Sequence, residues 1–298
     1  MPLKFMVSFM RRFIRHLTLI FIAGLFLQGC SAVRLGYGNA DSLARWWIDQ
    51  YIDMSPEQDA LARERLARFH SWHRKTQLPD YVSVLRQGQK FITGQPSAAD
   101  ALVLGDGIIR RGRTLAEQAT PDIAEFLATV SPAQIERMAG RLAEKNADYA
   151  REAQLADGEN GQRKARYKRL LERAEYWFDS FSAEQKTALR QMIDGQTAGS
   201  QFWYEERLRR QRDWLDLVRQ VQRERPPRER IMQMLSDYAA RFDMPGDPAR
   251  LAHAVALRRA AAELAVAIHA MTSPAQRAHA EHKLGELIRD FTELSQEG

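Results

Sequence analysis

An all-α fold, a multi-helix bundle of about ten helices with antiparallel hairpins and no sheet, is predicted by three features of this 298-residue chain. Apolar residues recur at spacings of three and four: Leu61, Leu66 and Phe69 form one stripe, Ile135, Met138 and Leu142 another. Strand signals are missing, since no stretch of Val, Ile and Thr alternates with polar residues at period two. Ala, Arg, Glu, Leu and Gln, all good helix formers, dominate.

The elements follow in order. Residues 1–29 read as a secretory signal. Arg11, Arg12 and Arg15 precede an apolar run from Leu17 to Leu27, which as a helix rises only about 16 Å and is too short to span a bilayer. Met1, Met6 and Met10 are alternative starts. Residues 30–40 form a tether, and 41–298 a single all-helical domain with a possible sub-boundary at 157–161. Helices are expected at 41–53, 56–77, 79–92, 97–118, 121–129, 132–155, 161–180, 183–224, 227–242, 248–271 and 274–294. Prolines 56, 79, 121, 132, 227, 248 and 274 sit at or near proposed first turns, where a missing N–H costs least. The 183–224 segment is too long for one globular helix, and Gly195 and Gly199 are expected to bend or break it.

Charge and cysteine content narrow the function. Lys plus Arg is 44 against 38 Asp plus Glu, but the signal holds four of the basic residues and no acid. The body is therefore close to neutral, which excludes nucleic-acid binding driven by bulk charge. Cys30 is the single cysteine, so neither an internal disulfide nor a multi-Cys metal site is possible. His70/His73 and His279/His282 lack a His-Glu-x-x-His pattern or an acidic third ligand. No metal and no cofactor are expected.

Leu27-Gln28-Gly29-Cys30 resembles the lipobox of bacterial lipoproteins, with Gln28 a departure from the small or β-branched residue usual there. The resemblance implies cleavage before Cys30 and attachment of more than one acyl chain to it. Ser31 after the cysteine implies sorting to the outer membrane of a Gram-negative cell. The partner implied is the membrane, held through acyl chains on Cys30.

Gly36-Tyr37-Gly38-Asn39-Ala40-Asp41, the Trp46-Trp47 helix, Trp72-His73-Arg74 and Leu78-Pro79-Asp80-Tyr81 together are similar to an uncharacterised family of helical bacterial lipoproteins. That family implies a helical envelope protein and brings no catalytic residues. A candidate functional surface combines Asp41, Trp46, Asp49, Trp72, His73, Arg74 and Tyr81. Trp46, Trp47, Tyr51 and Trp72 serve a core as well as a binding face. His73 and Arg74 are expected at a helix C-terminus, paired with carboxylates of the 41–53 helix.

Four segments share a capping box: Ser55…Gln58, Ser131…Gln134, Ser182…Gln185 and Ser273…Gln276. They read as plain helix caps. As an alternative they resemble, over four short pieces, the Leu-Thr-x-x-Gln motif of small helical periplasmic chaperones, or mark an old duplication. The basic run Arg163, Lys164, Arg166, Lys168, Arg169 and Arg173 reads as a solvated, ion-paired face, or alternatively as a site for lipid phosphates.

The expectation is a non-enzymatic, lipid-anchored scaffold or binding component of the envelope, on the periplasmic face of the outer membrane, with another envelope protein as partner. The alternatives are a chaperone-like binder, marked by a concave surface lined by Met and aromatics, and an envelope hydrolase using His73 and a nearby Asp.

Overall fold

The computed structural model describes residues 32–195, 199–242 and 247–297. The signal segment and Cys30 lie outside the described residues. The described residues hold twelve α-helices and no strand. The chain divides into a small N-terminal unit ending at Ala40 and a body from Asp41 onward. In the first unit the described helix is α1 (Ala32–Gly38), inside the stretch read as a tether.

The body begins with α2 (Ala40–Ile52), α3 (Pro56–Trp72) and α4 (Leu78–Thr93). The expected break at Pro79 is absent. A π-turn over His73–Gln77 joins α3 to α4, with the Leu78 N–H reaching back to the His73 carbonyl. Widening the helix by one residue lets Pro79 stand in the first turn of α4, where it forfeits little. The expected break at Pro121 is absent too, because α5 runs from Ala98 to Leu127. The cost of an interior proline, about 3 kcal/mol, is offset by burial of Ala124 and Leu127 just beyond it.

Next come α6 (Pro132–Glu152), a 3₁₀ turn (Leu155–Asp157) and α7 (Gly158–Phe178). The predicted loop at 157–161 is thus mostly helical, and the chain turns through left-handed Gln154 (φ 51°) just before it and through Gly158 (φ 67°) within it. The 183–224 segment splits, as expected, into α8 (Ala183–Asp194) and α9 (Ser200–Glu224). Gly195 caps the first part. At Gly199 a Cβ would come within 3.0 Å of Leu257, so the residue permits a close helix crossing. The chain ends with α10 (Arg228–Phe242), α11 (Pro248–Met271) and α12 (Pro274–Gln296).

Two apolar cores hold the body. Val130, Val218, Val221 and Ile231 centre one, among α5, α6, α9 and α10. Leu189, Ile193, Phe178 and Ala280 centre the other, among α7, α8, α11 and α12. Both place branched or aromatic side chains at helix spacing, so each helix contributes a stripe.

All four predicted capping boxes form, each with the Ser hydroxyl on the N3 amide and the Gln side chain on the N-cap amide. They also meet in pairs. Gln58 Nε2 donates to Gln134 Oε1 at 3.1 Å, and Gln134 Nε2 returns to Gln58 Oε1 at 2.6 Å. The same amides reach the carbonyls of Thr129 (3.1 Å) and Asp53 (3.1 Å), each two residues before the other helix's N-cap. Gln185 and Gln276 repeat the arrangement, at 2.8 and 3.1 Å, with the carbonyls of Met271 (2.8 Å) and Ser180 (2.9 Å). Each pair is a local two-fold clasp that locks two helix N-termini together, α3 to α6 and α8 to α12.

Candidate binding groove

Beyond the first clasp, α3 and α6 bound an apolar groove of 630 Å³ together with α2, α5 and α9. Its bottom is made by buried Ile52, Ala62, Leu127, Val130 and Met138. Half-buried Tyr51, Leu66, Phe69, Phe126, Leu142 and Trp214 form its sides, and exposed Trp47 stands at its mouth. Trp47 rests on Tyr51, ring centroids 4.8 Å apart. The Trp214 indole N–H points at Met138 Sδ, 3.2 Å away.

The polar groups of this groove are occupied by one another. Arg65 holds Glu125 with two parallel hydrogen bonds of 3.0 Å each, and Asp122 is bound by Arg68. Arg207 Nε donates to Asn146 (2.7 Å), whose amide donates to Gln211 (2.6 Å). The Arg207 guanidinium also lies over the Tyr149 ring. A surface of this kind presents aromatic and aliphatic carbon to a ligand, and its volume falls in the range of about 300–1,000 Å³ usual for small-ligand sites.

The second clasp shows what closure of the same geometry looks like. Seven residues past the N-cap Ser, the first pair carries Ala62 and Met138, the second Leu189 and Ala280. Eleven residues past it, Leu66 and Leu142 are half-buried in the groove, whereas Ile193 and Leu284 are buried. Phe178, Leu264 and Ile268 complete the apolar packing there.

Of the candidate surface read from the sequence, Trp72, His73 and Tyr81 come together, whereas on α2 Asp41 and Asp49 are engaged elsewhere and Trp46 is exposed. Asp41 accepts the Ser42 N–H (2.8 Å) in the first turn of α2, and Asp49 accepts the Met54 N–H (2.8 Å) at its end. Trp46 is exposed at the surface of α2. Trp72 packs on Phe69, centroids 5.3 Å apart. His73 and Arg74 lie in the π-turn within a continuing helical path rather than at a helix C-terminus. The His73 ring meets the Tyr81 hydroxyl at 3.2 Å, eight residues further along, and Tyr81 packs towards Phe291. The expected pairing of His73 with Asp41 or Asp49 is replaced by a His–Tyr contact, and both carboxylates accept backbone N–H groups of their own segment. Burial, and secondarily the charge of His70, holds His73 below its ordinary pKa, and burial raises Tyr81.

The sequence stripes Leu66 with Phe69 and Met138 with Leu142, and the aromatics Trp47 and Tyr51, which the sequence leaves open between core and binding face, all line this groove. The basic run 163–173 is dispersed: Arg163 pairs with Glu159 (2.8 Å), Arg169 donates to the Glu152 carbonyl (3.2 Å), and Arg166 is half-buried. No group of metal-binding side chains occurs among the described residues.

The fold and groove define the class: an all-α bundle with an apolar groove walled by helices and a polar rim satisfied internally. A family model, the family of unknown function DUF6279, matches residues 50–242, well over half of the chain, and the chain belongs to that family. The match takes in the first clasp and the groove from Tyr51 to Trp214. No curated protein and no solved structure matches the chain.

Proposed function

We propose that this protein is a lipid-anchored binding protein of the bacterial cell envelope, attached through Cys30 at the periplasmic face of the outer membrane, and that its groove holds apolar segments of other envelope proteins in a chaperone-like manner. The observation that carries the binding role is the groove itself. A chain that had only to scaffold would gain stability by closing it, as the second clasp is closed. The resemblance of the capping boxes to the motif of small periplasmic chaperones points the same way. The anchoring role rests on the lipobox-like Leu27-Gln28-Gly29-Cys30. No described helix is long and apolar enough to cross a membrane. The hydrolase reading gains nothing from the geometry, since His73 faces a phenol and not a carboxylate.

The test is occlusion. Ala119 lines the groove half-buried on α5. Ala119→Trp puts an indole into the groove without deleting any core side chain. The full chain should bind 8-anilinonaphthalene-1-sulfonate and slow the aggregation of a chemically unfolded client. The folded variant should lose at least five-fold in both. A variant that melts like wild type and keeps both activities sinks the groove as the binding site.

A further inference from the structure

We propose that the outer face of α2 lies on a phospholipid bilayer beside the acylated cysteine, so that the body is held to the membrane at two points; this rests on the anchoring reading of Cys30. Leu43, Trp46 and Trp47 recur at i, i+3 and i+4 on α2 and are 54%, 60% and 57% exposed. That is one continuous apolar stripe. An indole carries a large apolar face and one N–H donor, the combination enriched where hydrocarbon meets headgroups.

Chain length says what covers this stripe. Leu43 follows Cys30 by thirteen residues, seven of which are taken up by α1. At about 1.5 Å per helical and 3.4 Å per extended residue, the stripe stays within roughly 30 Å of the acylated residue. A body of this size is about 45 Å across, so most of its surface is free to lie farther away. The α2 face is thus leashed at the bilayer.

Charge says how it binds. The stripe contains no Lys or Arg, and the neighbouring Arg45 is turned to Asp59 at 2.5 Å. Contact is therefore apolar, independent of anionic lipid and insensitive to salt. Attraction through Lys164 and Lys168 on α7 would behave in the opposite way. Because Trp47 belongs both to the stripe and to the groove mouth, the groove opens next to the membrane surface.

The full chain, extracted from membranes with its acyl state read by intact mass, is reconstituted into vesicles of brominated phosphatidylcholine, with and without phosphatidylglycerol. Tryptophan emission should be quenched in both, equally at low and high salt. Leu43→Ser with Trp46→Ser, both exposed and outside the groove lining, should at least halve the quenching and leave melting unchanged. Trp46→Gln alone serves if the double variant melts early, and should lower quenching in the same direction. Equal quenching of wild type and variant, or quenching that needs phosphatidylglycerol and vanishes with salt, overturns the proposal. An unmodified Cys30 refutes the anchor by mass alone. Flotation of that chain with the same vesicles then tests the α2 face separately, with retention of wild type and loss of the variant expected and equal flotation fatal.

Discussion

Glu206 is the charged side chain most completely withdrawn from water among the described residues, with 1% of its surface exposed. Burial alone would raise its pKa, but hydrogen bonds from Arg209 (2.9 Å) and Arg250 (2.8 Å) outweigh it, so its carboxyl sits below the ordinary value near 4.5. A folded pKa below the unfolded one means that the unfolded chain binds the proton first. The stability this group supplies is complete above about pH 4.5 and is lost as pH falls through the depressed folded value. Glu206→Gln should lower stability by about 2–3 kcal/mol at neutral pH, less than the roughly 3–5 of a fully buried broken pair, because both arginines keep some contact with water. It should also flatten the acid limb of the melting curve. Denaturant titrations at pH 7 and pH 4 check both effects; a variant with wild-type acid sensitivity would assign that limb to other carboxylates. None of this was legible in the sequence, where nothing in the local pattern sets Glu206 apart from its neighbour Glu205. Arg250, the partner that seals Glu206, is brought in by the packing of α11 on α9 and not by any local pattern.

At the scale of elements, the four capping boxes were fully legible, because the N-cap Ser and N3 Gln are three residues apart and settle their geometry between themselves. Their pairing was not. A Gln amide has two N–H donors and a carbonyl with two acceptor sites, and what the box leaves over is taken by a residue 76 or 91 positions away. If the clasp joins the helix termini, Gln58→Ala and Gln134→Ala should not add. A double-mutant cycle should give a coupling of about 0.5–1.5 kcal/mol, the worth of the shared hydrogen bonds. The Gln185 and Gln276 cycle should match it. Strictly additive losses would reduce both clasps to independent caps. Local rules also explain where the element boundaries were misread. Pro79 keeps its expected place in a first turn and costs little there, the preceding π-turn carrying the helical path up to it, whereas Pro121 weakens a helix interior and is overruled within six residues by buried Ala124 and Leu127. Propensity is a weak prior against that much burial.

Over the whole molecule, the two clasps are built alike and end differently, one over a packed core and the other over an open groove. The sequence showed the apolar stripes that line both, but a stripe specifies a face to be covered and not whether anything covers it. Seven residues past the N-caps each clasp carries one alanine and one large side chain, Ala62 with Met138 and Leu189 with Ala280, so the difference lies in what covers the next turn: Leu66 and Leu142 stay half-buried where Ile193 and Leu284 are buried. Filling the groove from Ala62 separates stability from binding. In Ala62→Leu the added carbons enter a 630 Å³ space rather than a filled core, so the overpacking penalty of a tight interior does not apply. The new side chain exchanges water for Leu66 and its apolar neighbours and should stabilise the fold by up to about 1 kcal/mol. The same atoms occupy the bottom of the groove, so dye and client binding should weaken several-fold while the melting temperature holds or rises. Open apolar volume kept at the expense of stability is what a binding site requires and a scaffold does not. A variant that is stabilised and binds as wild type would show that the groove is a packing remnant. One that is destabilised and binds weakly would say that Ala62 is held by contacts tighter than the open volume implies, and the comparison would then rest on Ala119→Trp.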